Sequence, residues 1–245
     1  MPRFFVDNEK IKDKIITLDG EDAHHISYSL RMAVGDCITV CDKNGREYLC
    51  KLCHMDGEAV SAEICEERDG EGESPVSVHL FQAFPKGDKL ELIIQKSVEL
   101  GACCVTPFES ERCIKRPRAE KIDKQLARMN KIAREAAKQC GRSRIPEICA
   151  PLSFDAMLER ACACDMALFC YEDCHTDTIK QLLDEKGRNI SSLAIIIGSE
   201  GGFSEREADE AKARGAIPVT LGKRILRCET APIFALSCIS FFYEL

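Results

Sequence analysis

The 245-residue sequence lacks any apolar run long enough to cross a membrane. Its longest, Ala231 to Tyr243, falls short of the roughly 20 residues that a span needs. It also lacks the apolar core of an export signal, because Met1-Pro2-Arg3-Phe4-Phe5-Val6 turns charged at once. A soluble cytoplasmic protein with no membrane association is expected. The composition, 45% hydrophobic and 31% charged, is ordinary for a globular chain and leaves no room for disorder throughout. The length admits one large domain or two smaller ones.

Metal and nucleotide motifs are missing as well. Cys50-Lys51-Leu52-Cys53-His54 matches the spacing of c-type haem attachment, but that chemistry belongs to exported proteins, and a strand accounts for these residues. A zinc site needs a second ligand pair, which neither Cys103-Cys104 nor Cys162-x-Cys164 supplies at suitable spacing. His24-His25 read as part of the first domain's fold. No metal is expected. The sixteen cysteines sit largely inside strand-like runs such as Cys37-Ile38-Thr39-Val40-Cys41, where a free thiol acts as a small buried hydrophobe. A reducing compartment fits that usage.

The net charge of −7 argues against a nucleic-acid partner until its distribution is read. Residues 1–75 carry 9 basic against 17 acidic side chains, whereas residues 112–144 carry 12 basic against Glu120, Asp123 and Glu135, a local net of +9. Such an asymmetry fits a surface that meets phosphates, although a solvated helix face would look the same.

Short strands are predicted at Phe4–Val6, Ile15–Leu18, Cys37–Cys41, Tyr48–Cys53 and Ala59–Ile64, with a helix over about Glu21–Met32. Asn44-Gly45 predicts a type I′ hairpin between two of them. So many short strands imply a small barrel or curled sheet. Glu66 through Pro75 is acidic and free of apolar residues, and reads as a linker or an exposed hairpin loop. The domains are therefore placed at 1–72 and 73–245.

After Pro75 strands alternate with helices. Strands are expected at Val76–Phe84, Ala102–Phe108, Met166–Cys170, Leu193–Ile197 and Ile217–Leu221. Helices are expected at Asp88–Leu100, 119–140 and 230–243, the last apolar nearly all round. Ser204-Glu205-Arg206-Glu207 is a capping box opening a further helix. The second domain reads as α/β with a largely parallel sheet. Ligands of such sheets bind beyond the carboxyl ends of the strands. Two loops occupy that position: Gly198-Ser199-Glu200-Gly201-Gly202-Phe203-Ser204, and Leu221 through Thr230. The first lacks the Gly-Lys-Ser/Thr ending of a phosphate loop and does not fit the dinucleotide fingerprint, so a phosphate-bearing cofactor is unsupported.

Ile197–Phe203 and Leu221–Ala231 closely resemble the two cofactor-loop motifs of the RsmE family, which methylates N3 of a uridine in small-subunit (16S) ribosomal RNA. The resemblance continues through Pro85-Lys86-Gly87-Asp88-Lys89, Gln95-Lys96, Glu99-Leu100-Gly101, Ser110-Glu111-Arg112 and Glu135 to Arg142. In the first domain it includes His24-His25, Leu30-Arg31 and Gly35-Asp36. The family usually has proline where Ser199 stands. The resemblance implies a PUA-like RNA-binding domain of β-barrel type, followed by a SPOUT-type catalytic domain with a C-terminal trefoil knot. It also implies S-adenosylmethionine as cofactor and a homodimer with the cofactor beside the subunit interface. The RNA partner would be the assembled or assembling 30S subunit.

Removing the proton from uracil N3 needs a base, or a cation that stabilises the anion. Arg227 is the first candidate, because a guanidinium stays charged and donates in a fixed fork. Glu200 is the second, unless it merely caps the following helix. Gly198, Glu200, Gly202, Leu221, Ile225, Leu226, Arg227 and Thr230 are expected to hold the cofactor, with Leu168 and Phe169 contributing from the preceding strand. Arg31, Arg112 and Arg142 are candidates for RNA phosphates. Two other readings remain open at this point: a non-catalytic RNA-binding relative, and a related enzyme acting on a ribose 2′-oxygen or another RNA base.

Overall fold

The computed structural model describes residues 1–114, 116, 119–171 and 177–245, which form two compact units. Lys115 and Arg118 of the basic segment lie outside the described residues.

The first unit comprises Met1–Glu73 with Ala137–Ile145. Its elements are β1 (Arg3–Phe5), β2 (Ile11–Lys12), β3 (Ile15–Asp19), α1 (Gly20–His24), β4 (Cys37–Cys41), β5 (Arg46–Met55) and β6 (Ala59–Asp69). The strands form one sheet in the order β1-β4-β5-β6-β3-β2, antiparallel except for β1 on β4. Alternation along the strands buries Ile16, Leu18, Ile38, Val40, Leu52 and Val60 against Phe4 and Ile26.

Three expectations are corrected here. β6 runs on through Glu66–Asp69, pairing with Arg46–Leu49, so the first part of the supposed linker is strand. The Asn44-Gly45 turn is not type I′, because only Gly45 takes a positive φ, +85°. The Gly45 N–H instead closes on Asp42 O, and the Asp42 carboxylate accepts from the N–H groups of Asn44 and Arg46. The helix begun at Gly20 widens at His25–Ser29 into a π-turn, where Leu30 N–H reaches back five residues to His25 O, and Arg31 stops it at φ +52°. His24 lies tilted against Tyr28 and His25 meets the Phe4 ring edge-on, both histidines being exposed.

The second unit is Ser74–Ala136 with Pro146–Leu245. Its strands and α-helices begin with β7 (Ser77–Ala83), α2 (Lys89–Glu99), β8 (Cys104–Phe108), α3 (Ile122–Cys140, its last turn in the first unit), β9 (Glu147–Ile148) and α4 (Phe154–Cys162). Then follow β10 (Met166–Cys170), α5 (Ile179–Lys186), β11 (Ser192–Ile197), α6 (Glu205–Ala213), β12 (Ile217–Val219) and α7 (Thr230–Glu244). The six strands are all parallel, in the order β12-β10-β11-β7-β8-β9. Leu193–Ile197 and Leu168–Phe169 are almost wholly buried, as unbroken apolar strands covered on both faces must be. The chain lays β8 and β9 on one side of β7, then returns to place β11, β10 and β12 on the other. A crevice lies beyond the carboxyl ends of β10, β11 and β12.

α7 buries Ala231, Pro232, Ala235, Leu236 and Ile239, but Phe234 and Phe241 are exposed on another face. Within one chain the helix is therefore covered on one side, not all round.

Candidate active site

The floor of the crevice is built by the segment after β11. Ser199 and Gly202 pair across a tight turn closed by Gly202 N–H on Ser199 O at 3.0 Å, and Gly202 sits at φ +63°, which L side chains rarely adopt. Phe203 then drops into the core at 2% exposure, its ring centre 4.3 Å from that of Phe169 and 6.3 Å from those of Phe108 and Phe154. A Cβ on Gly198 would stand 3.1 Å from the Phe203 ring and 3.2 Å from the Gly202 backbone. Glycine at 198 is thus a packing requirement. Ser204 then opens α6 with both arms of the expected capping box in place.

The opposite wall is the segment between β12 and α7. Gly222 turns at φ +112°, and Arg227 O accepts the N–H groups of Thr230 and Ala231, which starts α7. Lys223, Arg224, Ile225 and Arg227 are exposed, and the three cations make no ion pair among the described residues. The two walls enclose a cavity of about 470 Å³.

A single ammonium ties the walls together. Lys89 Nζ lies 3.0 Å from Glu200 Oε1 and 3.0 Å from Glu229 Oε2. Glu200 also accepts from Lys86 N–H at 3.1 Å. Hydrogen bonds to Glu200 and then to Glu229 raise the Lys89 pKa above the ordinary lysine value. Partial burial pushes the Glu200 carboxyl up, but nearby backbone N–H groups and Lys89 outweigh it and hold it below the usual range. Glu229 follows the same pattern. Lys89 stays protonated and both carboxylates stay ionised. Glu200 does not cap α6, a task done by Ser204 and Glu207; it anchors the chain entering α2.

Of the residues expected at a cofactor site, Gly198, Glu200, Gly202, Leu221, Ile225, Leu226 and Arg227 line this cavity. Leu168 and Phe169 do not: both are sealed inside β10, and the cavity is reached by the two residues that follow, Cys170 and Tyr171. Thr230 is likewise outside the lining, being the first residue of α7. Lys89 and Glu229 were missed, since their partnership joins positions more than a hundred residues apart.

The three phosphate candidates fare differently. Arg31 is exposed in the first unit. Arg112 is exposed but donates to Gly201 O at 3.0 Å, while Ser199 Oγ reaches Arg112 O at 3.4 Å. It therefore braces the cofactor-side turn. Arg142 is 4% exposed with its guanidinium on the Glu73 carboxylate at 2.5 Å, so it is withdrawn from solvent and serves the first unit's packing.

Residues 72–240 match the model of the RNA methyltransferase domain family, and residues 18–65 match that of the RNA methyltransferase PUA domain. The chain belongs to the RNA methyltransferase family. The family's N-terminal module accounts for the β-rich first unit, and its catalytic module for the parallel α/β unit. Ribosomal RNA small subunit methyltransferase E of Bacillus subtilis (strain 168) is 35% identical, the match covering all of this chain and 98% of that protein. The crystal structure of the Neisseria gonorrhoeae protein of the same name, bound to S-adenosyl methionine, has a TM-score of 0.87 at 29% identity, covering 99% of this chain and 98% of that one. A Legionella pneumophila structure with bound cofactor SAM has a TM-score of 0.85 at 32% identity, covering 98% and 96%.

Proposed function

We propose that this protein transfers the methyl group of S-adenosylmethionine to N3 of a uridine in 16S ribosomal RNA. The observation that carries the reading is the crevice at the carboxyl ends of β10–β12, closed by two glycine-bearing segments and bridged by Lys89, in a chain whose relatives carry that cofactor.

The cavity suits such a cofactor. Its volume lies in the range of small-molecule sites. Its walls mix apolar surface from Ile197, Val219 and Leu226 with backbone groups of the two loops, which match a flat base and ribose hydroxyls. Backbone of Gly198, Gly202, Leu221, Ile225 and Leu226 would hold it, with Tyr171 beside them. When bound, the cofactor supplies an electrophilic methyl group on a sulfonium.

The residues of this chain do the rest. In-line displacement depends on positioning and electrostatics. Arg227, exposed at the rim without an ion-pair partner among the described residues, orients uracil and stabilises the charge left as the N3 proton departs. Both Glu200 oxygens accept hydrogen bonds and its pKa is held below the usual range, which makes it a weak base, so it is a positioning residue.

A second copy of the chain would cover Phe234 and Phe241 of α7, in a homodimer. The RNA partner is the small-subunit ribosomal RNA within a 30S particle, and the place of action is the cytoplasm. Arg31 remains a candidate for phosphate contact, with the exposed Lys121 and Lys124 at the start of α3. Incubation of small-subunit RNA with tritiated cofactor tests the reading: label must enter RNA, and Arg227→Ala must slow its entry by orders of magnitude.

A further inference from the structure

At the opposite end of the parallel sheet from the cavity, two thiols are in contact. Cys104 opens β8, and Cys149 follows β9, its N–H bonded to Val105 O at 3.0 Å. The register places His79, Cys104 and Glu147 side by side across β7, β8 and β9, so their side chains share a face. Cys149, two residues beyond Glu147, points the same way. The Cys104 and Cys149 Sγ atoms are 3.3 Å apart, and Thr106 Oγ1 is 3.6 Å from Cys104 Sγ. Glu147 offers a carboxylate oxygen within 4.8 Å of both sulfurs. Arg160 of α4 is close enough for its charge to act on Cys149.

We infer that Cys104 and Cys149 form a dithiol site that small hydroperoxides oxidise to an intramolecular disulfide. The two thiols are unequal. The hydrogen bond between the two sulfurs holds the Cys149 thiol below its ordinary pKa, and burial opposes this. The same hydrogen bond, with burial, pushes Cys104 up. We assign Cys149 as the attacking thiol, the charge of Arg160 favouring its ionised form, and Cys104 as the resolving thiol. The alternative reading, a thiophilic cation held by both sulfurs and Glu147, is separated from this one by the zinc content of the purified protein.

The chemistry balances. The Cys149 thiolate attacks one peroxide oxygen; the O–O bond breaks, and the leaving alkoxide or hydroxide takes a proton to give an alcohol or water. Sulfur is oxidised to the sulfenic acid and the peroxide is reduced. Cys104 then attacks the Cys149 sulfur, the S–S bond forms, and the hydroxyl leaves as water with the Cys104 proton. The sulfurs close from 3.3 Å to about 2.05 Å, within the reach of two rotating side chains. Both residues are buried, Cys149 at 7% exposure, so small oxidants reach them and bulky ones do not. The linkage would enclose all of α3 in a covalent loop, which disfavours the unfolded chain. This inference does not rest on the methyltransferase reading.

The test treats the full-length protein with hydrogen peroxide, alkylates the remaining thiols and maps the peptides by mass spectrometry. A Cys104–Cys149 peptide lighter by two hydrogens is expected, lost on treatment with dithiothreitol, together with a higher melting temperature of the oxidised protein. Cys104→Ser should stop the reaction at a Cys149 sulfenic acid that dimedone traps, and Cys149→Ser should leave Cys104 reduced. Three results would overturn the inference. Cys149 could be recovered reduced while exposed Cys37 and Cys53 oxidise, Cys149 could pair elsewhere, or the purified protein could hold an equivalent of zinc that shields both thiols.

Discussion

Adding one methyl group at Gly198 should weaken cofactor binding severalfold or more. The new Cβ meets the Phe203 ring at 3.1 Å and the Gly202 backbone at 3.2 Å, both tighter than ordinary contact. Phe203 cannot recoil, because it is 2% exposed and wedged among Phe108, Phe154 and Phe169. The turn carrying Gly202 must move instead, and that turn is the floor of the cavity. Overpacking of this kind costs about 1–3 kcal/mol. If the strain falls on the bound state, the dissociation constant rises about 5- to 150-fold. Calorimetric titration with S-adenosylmethionine, beside a melting curve, reads both components. A double variant with Phe203→Leu isolates the cause, since a smaller side chain at 203 should return part of the lost affinity in Gly198→Ala. Unchanged affinity and melting in Gly198→Ala, or no coupling between the two positions, would refute the packing argument.

Other perturbations separate binding from chemistry. Lys89→Met leaves Glu200 and Glu229 facing each other without their cation, so cofactor affinity should fall at pH 8 and recover in part towards pH 5, as one carboxyl takes a proton. Wild type should show no such recovery, because Lys89 holds both carboxyls below their usual range; identical pH profiles would remove Lys89 from its bridging role. Arg227→Ala should lower turnover by orders of magnitude with cofactor affinity within a few-fold, and wild-type-like turnover would end its assignment. Reversing Lys124 should lower the slope of log affinity against log salt for RNA by about one unit, whereas a constant slope would mean that the start of α3 is only solvated.

Local signals were legible in the sequence, and partnerships across the chain were not. The capping box at Ser204–Glu207 is a three-residue pattern with a fixed hydrogen-bond outcome, and it forms as read. The apolar runs of β10 and β11 likewise announce burial on both faces. At Glu66–Asp69 composition misled, because an exposed edge of a long strand can be as polar as a linker. Leu168 and Phe169 read from sequence as a strand end contributing to the cofactor site, yet only where β10 stops decides that Cys170 and Tyr171 line the cavity. Arg142 looked like one more cation of a basic stripe. Its burial on Glu73 follows from the 137–145 segment joining the first unit, which no periodicity encodes. Arg112 and Lys89 acquire their roles the same way, through the segment after β11.

The most direct test of the functional reading is the position of the methyl group on small-subunit RNA. After incubation with enzyme and cofactor, reverse transcription should stop at a single uridine, because N3 lies on the Watson–Crick edge and a methyl there removes the donor and blocks pairing. Activity should be greater on assembled or partly assembled small subunits than on a short single strand, since the enzyme must meet a presented base. Methyl incorporation without a strong stop at normal nucleotide concentrations would contradict N3 and favour a ribose 2′-oxygen.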